Sequence, residues 1–153
     1  MKKYWTTMMI VMLLLLAVNP VSALETQRPW RSAVMEMREN RLDNQELRLE
    51  NKRLRLAIRE QLVEIKESGQ TLEESVKIEL KALTEQIKEK TALLKSTQGD
   101  IRELTVGLKE LIEKKETEKI LTIYNQVIEI QEYRNGILKE INDLLKEVKE
   151  LLP

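Results

Sequence analysis

Apolar residues recur at helical spacing along most of the chain. From Met35 to Lys66 there is neither Gly nor Pro, and apolar residues return every three or four positions. This pattern predicts one amphipathic helix of about 30 residues, roughly 45 to 50 Å long. Strict alternation of apolar and polar residues over a strand length is absent, so no sheet is predicted.

Glycines divide the rest of the chain into further helices. Gly69 and Gly99 suit the left-handed residue that follows a helix end, and Thr71 with Glu74 has capping-box spacing. The polar run EKKETEK at 113–119 interrupts the apolar pattern. The sequence predicts helices over 35–67, 72–96 and 101–152, with breaks near 96–100 and 113–119. Gly107 and Gly136 weaken the last helix by about 1 kcal/mol each without forcing a break.

The first helix, an Arg-rich segment over 35–67, offers a heptad seam whose positions are conventionally lettered a to g. One register places two Asn and two Ile at a and two Leu at d, which resembles the leucine-zipper pattern. The predicted oligomerisation residues in this register are Asn44, Leu47, Asn51, Leu54, Ile58 and Ile65. Asn at a with Leu at d favours a parallel dimer. The alternative interpretation is that these residues make ordinary contacts within a bundle.

Charged residues beside this seam support the zipper register. Asp43 and Glu50 fall at g, whereas Arg48 and Arg55 fall at e. In a parallel dimer, each acid would face a base of the other chain. Exposed pairs of this kind contribute only a few tenths of a kcal/mol, so they select the partner more than they stabilise it.

A second apolar stripe lies on the opposite face of the same helix, at position f. It consists of Leu42, Leu49, Leu56 and Val63. Charged residues at the neighbouring positions exclude it as the main seam. An apolar stripe is expected to be buried against another element, and the preferred expectation is that later helices of the chain fold back on it. The alternative is that another protein or an unfolded client docks there.

Downstream, the apolar positions keep a rhythm of three and four residues. From Ile120 onward the apolar face is wider, because Tyr124, Leu138, Leu145 and Leu152 add a third position to each heptad. Such a width suits a helical bundle or a higher oligomer. The fold class predicted is therefore all-α, with long amphipathic helices forming a coiled coil or an elongated helical hairpin or bundle.

The N-terminal residues have the order of a secretory signal peptide. Lys2 and Lys3 precede an uninterrupted apolar run of 11 residues from Met8 to Val18, and Val21-Ser22-Ala23 supplies small residues for cleavage. A membrane span needs about 20 apolar residues, so cleavage after Ala23 is expected rather than a retained anchor. Residues 1–23 are thus a predicted signal peptide, and 24–34 an entry segment without apolar period. The protein is expected to be exported, either secreted or associated with the cell envelope.

The amino-acid composition excludes most catalytic mechanisms. The chain has no His and no Cys, which excludes Ser-His-Asp and Cys-His nucleophiles and the usual zinc sites. No phosphate-binding loop or calcium loop is present. The 26 basic residues balance 26 acidic ones, which argues against nucleic acid binding. No catalytic residue, cofactor, metal site or small-molecule substrate is predicted.

The function that remains is a non-catalytic coiled-coil scaffold, spacer or adaptor. Its expected partner is a second copy of the chain, with a dimer favoured, or another helical protein. One alternative is a holdase-like chaperone that holds unfolded exported clients on exposed apolar helix faces. Another is a membrane-anchored coiled-coil module, with membrane contact only if the signal segment is retained.

Overall fold

The computed structural model describes residues 30–153, which are helical with no strand among them. The all-α prediction is confirmed. The signal peptide and most of the entry segment lie outside the described residues. The helices in chain order are α1 (Arg31–Glu67), α2 (Glu74–Ser96), α3 (Asp100–Leu104), α4 (Leu108–Glu113) and α5 (Thr117–Glu150).

Helix α1 is continuous over 37 residues and ends where Gly69 adopts a left-handed conformation, with φ of 71°. The Gly69 and Gln70 amides donate to the carbonyls of Lys66 and Ile65, which satisfies the last turn. The capping box expected at Thr71 does not form, because α2 begins at Glu74, two residues later than predicted, and Glu73 precedes it without a side-chain cap. The turn between the helices is therefore longer than the spacing of Thr71 and Glu74 suggested.

The segment predicted as a helix over 101–152 with a break near 113–119 is divided into three, because a second break occurs at Gly107. Gly107 has a φ of 79° and separates α3 from α4, and Lys115, with a φ of 58°, lies between α4 and α5. Lys115 belongs to the polar run that interrupts the heptads. Gly136 lies inside α5, which continues through it. A glycine breaks the helix where the chain needs a positive φ and is tolerated where it does not.

Helix α5 is the central element, and α1 to α4 all pack against it. It runs parallel to α1, because Asn44 contacts Asn135 and Asn51 contacts Asn142, each pair 91 residues apart. It runs antiparallel to α2, because Lys90 pairs with Glu140 while Thr97, farther along α2, accepts from Arg134, which lies earlier on α5. The fold is a helical bundle whose first and last long helices point the same way.

Two apolar clusters form the core. The larger joins α1, α2 and the second half of α5, and its buried members are Ile58, Ile65, Leu83, Ile87, Ile137, Ile141, Leu145, Val148 and Leu152. The smaller joins the start of α1 to the start of α5 through Ala33, Ile120, Tyr124 and Ile128. Trp30 meets Tyr124 edge to face, with ring centroids 6.1 Å apart. Along α1, polar residues lie between the two clusters.

Candidate functional site: the two faces of α1

The inner face of α1 is covered by α5 of the same chain. Asn51 is 5% exposed, Ile58 and Ile65 are each 9% exposed, and Leu54 packs against the larger core cluster. Asn44 and Leu47 are half-buried. The predicted zipper residues therefore line one seam, as the register required. Their partner is an intrachain helix, which corrects the expectation that a second chain fills this seam.

Paired asparagines fix the register of that seam. The Asn44 side-chain amide donates to Asn135 Oδ1 at 2.9 Å. One heptad later, Asn142 donates to Asn51 Oδ1 at 2.9 Å, and Asn51 donates to the Leu138 carbonyl at 2.9 Å. A shift of α5 along α1 by one turn would leave these buried amides unpaired, at about 1 to 3 kcal/mol each. Asn135 and Asn142 were missed in the sequence, although their seven-residue spacing repeats that of Asn44 and Asn51.

The charges beside the seam also act within the chain. Glu50 pairs with Lys146 of α5 at 3.5 Å. Arg48 donates to Asn44 Oδ1 at 2.8 Å. The zipper pairing of Glu50 with Arg55 of another chain is thus replaced at Glu50 by a lysine of α5. This follows from the parallel course of α5, which occupies the position that a second zipper helix would have taken.

The outer face of α1 is uncovered. Its stripe is exposed by 64% at Leu42, 49% at Leu49, 50% at Leu56 and 46% at Val63. The expectation that later helices fold back on this stripe is wrong, because α5 packs on the opposite face of α1. Met35, 49% exposed, lies one further heptad upstream and extends the stripe. The outer stripe is hereafter Met35, Leu42, Leu49, Leu56 and Val63.

The outer stripe runs between two rows of opposite charge. On one side, position b carries a basic row formed by Arg38, Lys52, Arg59 and Lys66, with Gln45 among them. On the other side, position c carries an acidic row formed by Glu39, Glu46, Glu60 and Glu67, interrupted by Arg53. The side chains of both rows are exposed. The face is thus apolar at its centre and has a defined sign of charge on each side.

A groove lies on the outer stripe toward the end of α1. Leu56 and Val63 line it together with Arg59, Glu60 and Glu64, and its volume is about 400 Å³. All five lining residues lie on α1, so the groove is a shallow, open depression on the surface of one helix.

Three further features concern metal binding, membrane spanning and an ion pair between α2 and α5. No group of three or more His, Cys, Asp or Glu residues is placed to hold a metal ion within residues 30–153. The described helices include none with the length and apolar character needed to cross a membrane. The pKa of Lys90 is raised because its ammonium bonds the Glu140 carboxylate. That contact joins a half-buried lysine of α2 to an exposed glutamate of α5.

Comparison with known proteins identifies no relative of this chain. No protein-family model, no curated protein and no solved structure matches it. The outer stripe and the charges beside it are therefore the features of the molecule that bear on its function.

Proposed function

We propose that the protein is an exported, non-catalytic scaffold or adaptor that assembles through the outer stripe of α1. The observation that carries this proposal is an apolar residue at every seventh position from Met35 to Val63, exposed throughout. Five heptad positions span about 42 Å of helix. A regular stripe of that length suits a helical partner, because a second helix presents side chains with the same period.

The partner we propose is a second copy of the chain, packed parallel through the same stripe. In a parallel pair related by a two-fold axis, the basic row of one helix faces the acidic row of the other. In an antiparallel pair, each row would face its own copy and repel it. Wild-type charges therefore favour the parallel homodimer. One leucine per heptad makes a narrow seam, and the stems of flanking Lys and Arg side chains add apolar area to it.

The experiment is sedimentation equilibrium of the purified chain with matched variants. Replacing Leu49 and Leu56 by Ala should convert dimer to monomer, because it empties the centre of the stripe. Leu62→Ala is the control, since Leu62 is 43% exposed on the same helix but lies outside the stripe. A wild-type chain that remains monomeric at millimolar concentration would contradict self-assembly.

Charge reversal tests the pairing of the rows. Glu46→Lys and Glu60→Lys make the centre of the acidic row basic, and Lys52→Glu and Arg59→Glu make the centre of the basic row acidic. Neither double variant should form homodimers, whereas an equimolar mixture should form heterodimers. Direction is tested with Met35→Cys in this cysteine-free chain. The stripe meets itself at Met35 only in a parallel pair, so oxidation should give a disulfide-linked dimer.

A holdase-like chaperone is the second candidate, because exposure of the stripe is what client binding requires. The opposed charge rows favour a partner of fixed geometry over unfolded clients of varied sequence. The two functions separate in the Leu49→Ala and Leu56→Ala variant. Loss of dimer without change in client aggregation supports the scaffold, and loss of aggregation suppression by a chain that was monomeric throughout supports the chaperone.

A further inference from the structure

An open cleft of about 630 Å³ lies where α1 and α5 meet the break between α2 and α3. Its lining includes four guanidinium side chains, those of Arg41, Arg48, Arg102 and Arg134. None of the described residues that line it is acidic. The overall charge balance of the chain therefore conceals a local concentration of positive charge.

The guanidinium groups are held by neutral acceptors. Arg134 donates through one nitrogen to the carbonyl and the hydroxyl of Thr97, at 2.9 and 2.8 Å. Arg48 uses its Nε on Asn44 Oδ1. All ion pairs between described side chains use lysine as the base. Each guanidinium has five N–H donors, so both side chains are positioned while donors are left for a ligand.

Like charges oppose one another across the cleft. Partial burial lowers the pKa of the Arg134 guanidinium, and the positive charge of Arg48 lowers it further, while Asp100 acts in the opposite direction. An anion between Arg48 and Arg134 would replace this repulsion with attraction. Arginine also binds oxyanions through two parallel hydrogen bonds, which makes it a frequent phosphate ligand.

We propose that this cleft binds a phosphate-bearing ligand, with Arg48 and Arg134 on the phosphate oxygens. Arg41 and Arg102 add positive charge at the rim. The volume exceeds that of one phosphate and lies in the range of small-molecule sites, so the ligand is a phosphate ester or a pyrophosphate. No residue of the outer stripe lines the cleft, although Gln45 beside the stripe does.

Calorimetric titration of the purified chain with inorganic pyrophosphate tests the site. Arg48→Gln should weaken binding by about tenfold or more, as expected for the loss of a charge-assisted hydrogen bond. Arg55→Gln is the matched control, because Arg55 is exposed one heptad along the same face of α1 but does not line the cleft. It should change affinity by about twofold or less. Equal effects of the two substitutions, or no binding at millimolar pyrophosphate, would overturn the proposal.

Two further arms identify the ligand chemistry. Pyrophosphate should bind more tightly than sulfate, because it places more negative charge between the guanidinium groups, and equal affinities would overturn the phosphate assignment. Phosphatidylcholine vesicles with and without phosphatidic acid distinguish a lipid headgroup from a free phosphate. Binding to phosphatidic acid that pyrophosphate displaces and Arg48→Gln weakens supports a headgroup. Binding of free pyrophosphate without such displacement supports a soluble ligand.

Discussion

The two faces of α1 carry heptad stripes of different composition, and the more polar stripe is the buried one. The inner face has Asn44 and Asn51 at a, whereas the outer stripe is wholly apolar. The inner face offers two positions per heptad and finds complementary amides on α5. The outer stripe offers one position per heptad between charged rows. The face of α1 that is buried is thus the one whose side chains match those of α5. The hydrophobicity of single residues does not decide which face is buried.

Replacing one large residue by Ala on each face of α1 should give the largest difference in stability between the two faces. Ile58→Ala removes a side chain that is 9% exposed and should lower the free energy of unfolding by about 2 to 5 kcal/mol. Leu56→Ala, at 50% exposure, should change it by about 0.5 kcal/mol or less in the dissociated chain. Urea unfolding at low protein concentration measures both. A larger loss at Leu56 would mean that the outer stripe is covered after all.

The buried amides should show strong coupling. Asn51→Leu leaves the Asn142 amide, 3% exposed, without its acceptor, and should cost about 1 to 3 kcal/mol. Replacing Asn51 and Asn142 together by Leu should recover most of that loss, because no buried amide of the pair is then unpaired. A double-mutant cycle by chemical denaturation measures the coupling. Additive losses would argue that the two amides do not act as a pair.

Substitution of Gly136 should change the stability of the fold without changing dimerisation. The residue lies within α5 with nothing inside 4 Å of an added Cβ, so Gly136→Ala should stabilise the fold by about 0.5 to 1 kcal/mol. Gly99→Ala is the contrasting variant, because φ at Gly99 is 109° and the substitution should destabilise. Thermal unfolding gives both signs. Neither change should alter the dimerisation constant, since neither residue lies on the outer stripe.

Much of the fold could be predicted from local pattern. The end of α1 beside Gly69, the breaks that follow Ser96 and Glu113, and the grouping of Ile58 and Ile65 on one face all follow from spacing and from the residues that end helices. The change in chain direction between α4 and α5 was harder to predict from the sequence. The polar run indicated a break, but a break does not specify whether the chain continues onward or turns back.

The candidate sites were harder to predict for the same reason. The apolar character of the outer stripe is visible in the sequence, but its exposure depends on which face α5 chooses. The arginine cleft brings together Arg48 and Arg134, which are distant in sequence and lie on different helices. Neither residue has a local pattern that points to the other.

By itself, the sequence determined the helical class, the heptad register of α1 and the positions where helices end, because these depend on residues within one or two turns of one another. Only the tertiary structure decided that the partner of the inner face is α5, 91 residues away at the paired asparagines, and that the outer stripe is left exposed. The physical reason is that an a/d seam accepts any helix with matching side chains. Periodicity therefore cannot distinguish an intrachain helix from a second copy.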